Sequence, residues 1–262
     1  ENQPILIKKL LYRLKDHQIN QNNFALFKQE LIAHWQNSDK SKSISQLFSS
    51  LSSLMQPNNP SAEALALALN KVTLAQYQKF CLCLFEKITL DVLIHGNWLK
   101  VHANQIVKTI KHGFNQNYSS VHAVQCPVID MHNKKTQVLP LQVPEHDHAT
   151  VIYYPLASRD DDLIALTMVT SHLLSPLFFQ EMRTEKQFGY LVGVGFVPIN
   201  RYPGIAFYIQ SPHTSSLQLM SAIDDFIIRS NELLSDMSQD DWQHLQHGLS
   251  SQLQEKDSSL RI

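Results

Sequence analysis

SPLFFQEMRTEKQFGYLVGVGFVPINRYPGIAFYIQS, residues 175–211, changes character in its middle. The chain holds only seven glycines, and four of them fall between Gly189 and Gly204. Before Gly189 the pattern is helical. After it, residues 190–198 and 204–211 alternate as strands do, with Pro198 to Pro203 between them as a hairpin loop. Gly193 and Gly195 lie inside the first of these strands. Glycine weakens a strand interior, and there it marks a bulge or the close approach of another backbone. Something is therefore expected to lie against this sheet edge. Gly189 is expected to end the helix, which sets Tyr190 at the mouth of the strand and Arg183 about two turns back. Both side chains then reach one end of the domain. A guanidinium brings fixed positive charge and a phenol a neutral donor, so together they can grip a peptide carbonyl or carboxylate. The spacing alone is equally satisfied by a surface ion pair beside a half-buried tyrosine.

Working outward, "HATVIYYPLA" and "TQVLPLQV" read as strands rich in β-branched and aromatic residues. Asp160 to Asp162 supply the acidic first turn of a helix. Its apolar stretch, Leu163 to Phe179, is interrupted by Thr167, Ser171, His172 and Pro176 and falls short of the ~20 clean residues of a membrane span, so a buried helix is expected. Two further helices close the chain, the second starting at Ser238.

The first third is helical, with stripes at Ile7, Leu10, Leu11 and Leu14, at Phe24, Phe27, Leu31 and Trp35, and at Ile44, Leu47, Leu51 and Leu54. Pro57 and Pro60 break the third helix, and Thr73 with Gln76 forms a capping box for the next. "TLDVLIHGN" shifts to period 2 and reads as a strand ending in a Gly96-Asn97 turn. A helix striped by Ala103, Ile106, Val107 and Ile110 follows. Periodicity then fades from about residue 115 to 135. Helices feeding short strands indicate an α+β protein, with helices packed on one face of a sheet.

Composition narrows the chemistry. At 262 residues the chain suits two domains or one large one. A net charge of −1 with no basic run above two residues gives no electrostatic reason for a phosphate-binding face, so no nucleic acid is expected. Cys81, Cys83 and Cys126 are odd in number and give no disulfide framework; the first two lie in "FCLCLF", where burial is expected. Phosphate-loop, dinucleotide and G-x-S-x-G signatures are absent. So are the helical zinc motifs H-E-x-x-H and H-x-x-E-H. His146 and His148 in "EHDHAT" alternate along a strand entry and are spaced to share an ion, but they read first as a solvated loop-to-strand junction; His244 and His247 sit i, i+3 on the last helix with no third ligand in view.

"SPLFFQEMRTEKQFGY", followed by a strand, a loop and "GIAFYIQS", resembles the C-terminal half of the pitrilysin and insulin-degrading-enzyme group of zinc metalloendopeptidases. "ITLDVLIHGNW" and "LSDMSQDDWQHLQHGL" extend the likeness over residues 70 to 257, and Arg-x-x-x-Gln-x-Gly-Tyr is its most specific piece. Phe188 stands where an aliphatic residue is usual, and Met182 where leucine is.

The resemblance implies two α/β-roll domains of the metallopeptidase type. Residues 1–118 would be the helical part plus a strand of the third, inactive domain, 119–136 a linker, and 137–262 the first part of the fourth. It implies that the catalytic zinc is held by an N-terminal half of the same polypeptide, so that this chain alone binds none and is inactive. Arg183 and Tyr190 would face a closed chamber and contact a peptide or small-protein substrate, the tyrosine beside the developing oxyanion. No membrane span is expected. The layout implies the bacterial periplasm, with the cytoplasm as the alternative compartment. A second function stays open: a peptide-binding or scaffold subunit of a catalytically inactive homologue.

Overall fold

The computed structural model describes residues 3–15, 19–84, 91–114, 126–131, 134–143, 146–235 and 238–254. The chain groups into two compact units. The first comprises Glu1–His34, Leu65–Gln125 and Ser258–Ile262; the second comprises Trp35–Ala64 and Cys126–Asp257.

In the first unit lie α1 (Gln3–Lys15), most of α2 (Gln21–Gln36) and of α4 (Ala62–Lys71), α5 (Leu74–Cys83) and α6 (Lys100–Gly113). Its buried side chains include Phe24, Ala66, Ile106 and Phe114. The expected capping box is present, with the Thr73 hydroxyl accepting from the Gln76 amide and the Gln76 side chain accepting from Thr73 N–H. The Lys28 ammonium donates to the carbonyls of Asn70 and Val72 at 2.9 and 2.8 Å, satisfying acceptors left free where α4 ends.

Two expectations change here. Cys83 is exposed and Cys81 half-buried. The more covered side of α5 runs through the half-buried Leu74, Tyr77 and Cys81, and Cys83 lies off that stripe. The strand expected at "TLDVLIHGN" is not seen: residues 91–95 form no ladder, while residues 85–90 lie outside the described part. The turn survives, with Gly96 at φ 120° and Trp98 N–H donating to the Gly96 carbonyl.

In the second unit, strands β1 (His148–Pro155), β2 (Leu191–Phe196) and β3 (Gly204–Ser211) make an antiparallel sheet in the order β1-β3-β2. The expected hairpin is formed by β2 and β3, with Val192 opposite Ile209 and Val194 opposite Phe207. Its loop closes through the Ile199–Tyr202 bridge, with Asn200 and Arg201 both at positive φ.

One face of the sheet carries Val192, Val194, Phe207 and Ile209. These pack with Leu174, Phe178 and Met182 from α7 (Asp161–Phe179) and its continuation, and with Leu219, Ile223 and Phe226 from α8 (Ser216–Ser235). Phe178 is the hub, its ring 5.5 Å from Phe207 and 5.0 Å from Phe226 in edge-on geometry. By length and composition, Asp161–Glu185 is a helix apolar enough to cross a membrane. Here one side of it is buried through Thr167, Ser171, Leu173, Leu174 and Phe178, and it packs on β2. The buried hydroxyls of Thr167 and Ser171 are satisfied by carbonyls of the same helix.

The opposite face is covered by α3 (Ser43–Met55), whose Phe48 ring meets Tyr208 edge-on at 5.6 Å. Of the expected linker, residues 126–131 and 134–136 run without helix or strand, and Ile129 N–H is bonded to the Met55 carbonyl at the end of α3. The segment "TQVLPLQV" is a correction. It is not a strand, and Val138 and Leu139 are more than half exposed. Pro140 removes a ladder donor from its middle. The last helix, α9 (Gln239–Gln254), begins as expected just after Ser238.

Candidate functional site

The helix that carries Arg183 does not end as a regular α-helix. After Phe179 it widens into a π-turn over Gln180–Glu185, with Lys186 N–H bonded to the Glu181 carbonyl five residues back. Such a turn adds a residue per revolution and re-aims the side chains it carries. Met182 points into the core and is fully buried, so Arg183 is exposed on the outside. Glu181 braces the turn, its carboxylate 2.7 Å from Lys186 Nζ and 2.5 Å from Arg229 Nη2 on α8.

The chain then reverses. Gln187 takes φ 53°, the left-handed region, and Phe188 N–H donates back to the Met182 carbonyl. Gly189 runs against β3 so closely that a Cβ there would sit 2.0 Å from the Gln210 carbonyl oxygen. Only a residue without a side chain fits.

This geometry brings Arg183 and Tyr190 together, as the spacing led us to expect. The Arg183 guanidinium donates to the backbone carbonyl of Tyr190, and it stands 5.4 Å from the Phe179 ring centroid. Tyr190 is 45% exposed. Its hydroxyl donates to Asp147 Oδ2 at 3.1 Å and accepts from Gln210 Nε2 at 3.1 Å. Gln210 Nε2 also lies 3.0 Å from Asp147 Oδ2. Gln210 has no exposed surface, and its Oε1 accepts the Ile44 N–H at the start of α3. Ser43 Oγ donates to the Asp147 carbonyl, and the Lys42 ammonium lies 5.7 Å from the Tyr190 ring centroid. Beside Asp147 opens a cavity of about 220 Å³ lined by Ser43, Leu47, Leu141, Val143, His146 and Ser216.

Asp147, Gln210, Ser43 and Ile44 were not anticipated. Asp147 stands in "EHDHAT", whose histidines are the more conspicuous chemistry, and Gln210 alternates with apolar residues as any outward strand residue would. The signal available was the pairing of an amide on an alternating strand with glycine at 189.

The glycines also read differently in space. Gly193 lies under the Tyr208 ring, whose hydroxyl oxygen would be 2.4 Å from an added Cβ, and Gly204 lies under Tyr153 in the same way. Cross-strand tyrosines, not a foreign backbone, occupy these two positions. Gly195 faces open space. Among the described residues no three of His, Cys, Asp and Glu converge on a point where a metal ion could sit. His244 instead bonds through Nδ1 to the Asp240 carbonyl. The described residues therefore offer no ligand set for a catalytic zinc.

Residues 1–68 match the family model "Middle or third domain of peptidase M16", and residues 169–262 match "PQQ synthase PqqF-like, C-terminal lobe domain 4". Human (Homo sapiens) insulin-degrading enzyme is 24% identical over 256 residues, which is 94% of this chain and 25% of that protein. Coenzyme PQQ synthesis protein F of Klebsiella pneumoniae is 30% identical over 113 residues, 43% of this chain and 14% of that protein. The crystal structure of pitrilysin superposes with a TM-score of 0.77 at 17% identity, over 99% of this chain and 28% of that one. The chain thus spans about a quarter of the length of the first of these relatives.

Proposed function

Because the chain belongs to the pitrilysin and insulin-degrading-enzyme family of peptidases, we propose that it serves as the non-catalytic C-terminal portion of a zinc-dependent metalloendopeptidase. In this reading it forms the far wall of a substrate chamber. Arg183 and Tyr190 contact the peptide there, and Tyr190 donates to the oxyanion that develops as the scissile carbonyl is attacked. The catalytic zinc and its ligands belong to an N-terminal half of the same polypeptide. The substrate is a peptide or small protein, the class named in "insulin-degrading enzyme", and the compartment is the periplasm.

The observation that carries this is the meeting of Arg183 and Tyr190 at the entry to β2, both open to solvent and joined through the guanidinium and the Tyr190 carbonyl. Had Tyr190 been sealed beneath α7, its hydroxyl could not meet a substrate. A donor aimed at charge that appears only in the transition state raises rate without tightening ground-state binding.

In the full-length protein, Tyr190→Phe should lower kcat/KM for peptide hydrolysis by about one to three orders of magnitude, on the order of 2–4 kcal/mol. Unchanged kinetics in a folded variant would remove Tyr190 from the mechanism.

A further inference from the structure

We propose that Asp147 is a positioning residue that parks the Tyr190 hydroxyl, holding it in a hydrogen bond that a bound peptide must displace. The proposal rests on the reading of Tyr190 as a substrate-facing donor and adds a resting state to it.

A phenol has one proton to give. Here that proton is directed at Asp147 Oδ2, 3.1 Å away. The orientation is over-determined. Gln210 is an amide whose oxygen accepts from Ile44 N–H, so its nitrogen is the end that faces Asp147 and Tyr190. That nitrogen donates to the phenol oxygen, which leaves the phenol to act as donor toward the carboxylate. Gln210 is fully buried and anchored to the first turn of α3, so it does not yield easily. Asp147 is held through its own carbonyl by Ser43. The Tyr190 backbone is fixed at its other end by Arg183. Ring and backbone are therefore clamped while the hydroxyl faces an acceptor.

Engaging a substrate oxygen requires turning that O–H away from a carboxylate. Hydrogen bonds to charged groups are stronger than those between neutral groups. Asp147 therefore orders the tyrosine and also withholds it.

The test uses the full-length protein. Asp147→Asn keeps the shape and replaces a charged acceptor by a neutral one. It is expected to raise kcat/KM for peptide hydrolysis about three- to tenfold, the ratio set by exchanging a charge-assisted bond for a neutral one. In a Tyr190→Phe background the same substitution should change nothing. A fall in kcat/KM as deep as that of Tyr190→Phe would overturn the proposal, and so would an equal gain in the Tyr190→Phe background. A readout independent of activity is the fluorine resonance of a ring-fluorinated tyrosine placed at position 190. It should move when Asp147 becomes Asn and approach the position of a free tyrosine when Asp147 becomes Ala. An unmoved resonance sinks the parked state by itself. A moved resonance with unaltered Tyr190→Phe kinetics sinks the reading of Tyr190, and with it any use for the parked state.

Discussion

Gly189→Ala is the sharpest perturbation of the geometry on which the site depends. An added Cβ would lie 2.0 Å from the Gln210 carbonyl oxygen, 3.0 Å from its carbonyl carbon and 3.2 Å from Ser211 Cα. All three are backbone atoms of β3, so no side chain can swing aside. Non-bonded heavy atoms rest about 3.5 Å apart, so the start of β2 must lift from β3 by on the order of 1.5 Å. That displacement strains the Leu191–Gln210 end of the register and pulls the Tyr190 carbonyl from Arg183. Overpacking of this kind costs about 1–3 kcal/mol, and a ladder bond lost with it adds about 1 kcal/mol. The gain from a less flexible unfolded chain returns only about 0.4–1 kcal/mol. The net expectation is a loss of about 1–3 kcal/mol, or roughly 2–10 °C in Tm. Urea denaturation followed by circular dichroism measures it. The internal control is Gly195→Ala on the same strand, where nothing lies within 4 Å of the new carbon; it should be neutral or slightly stabilising. Gly189→Ala as stable as the parent, or indistinguishable from Gly195→Ala, would refute the close approach that aims Tyr190.

Gln187 holds φ 53° without being glycine, a conformation worth roughly 1–3 kcal/mol of strain that a β-branched side chain deepens. Gln187→Val should therefore lower the urea midpoint while Gln187→Gly or Gln187→Asn preserves or raises it, and equal midpoints across the three would disprove the local backbone assignment. At Glu181, burial pushes the carboxyl up, but hydrogen bonds and charge from Lys186 and Arg229 outweigh it and hold the group below its ordinary value of 4.5. A depressed carboxyl stabilises the fold above 4.5, and that contribution is lost as pH falls through the lowered value. Glu181→Gln should then cost about 1 kcal/mol at neutral pH, discounted because Arg229 is half exposed, and the deficit should vanish in strong acid. A deficit that persists unchanged in acid would point to packing rather than charge.

What could be read in the sequence was local. The alternation of Val192 and Val194 against Ile205, Phe207 and Ile209 specified a hairpin because period and register are linked, and Pro198 and Pro203 marked its loop. The Thr73–Gln76 box was visible because both its bonds lie within one turn. The position of Arg183 relative to Tyr190 followed from a helix ending near Gly189, although the π-turn did not show, since "QEMRTE" has no residue that demands it. Period 2 misled in "TQVLPLQV" and "TLDVLIHGN". Alternation describes how a strand would bury itself, not whether a neighbour exists to pair with it. The glycines misled for a related reason. At 193 and 204 the group that needs room is a tyrosine ring on the adjacent strand, and pairing partners are not a property of the run that contains the glycine.

The largest gap concerns α3. Nothing in "SISQLFSSLSSLM" tells an amphipathic helix which sheet it will cover, and the expected linker at 119–136 separates it in sequence from the sheet it lies on. Yet α3 supplies the Ile44 N–H that fixes the Gln210 amide, the Ser43 hydroxyl that holds Asp147, and the Phe48 ring that packs on Tyr208. Tyr190 is thus set by three chain segments, of which the start of α3 lies more than a hundred residues from both Asp147 and Gln210, and the amide at their centre has no contact with solvent. A polypeptide cut at that linker would keep Arg183, Gln187, Gly189 and Tyr190, every residue of the motif, but not Ser43 and Ile44, which hold Asp147 and Gln210. Gln210 Oε1 would lose the Ile44 donor, and with α3 gone that face of the sheet opens to water. An amide that turns to recover a bond no longer donates to the phenol oxygen. The motif names the residues that meet the substrate, whereas the direction in which Tyr190 points is decided by a helix that the motif does not include.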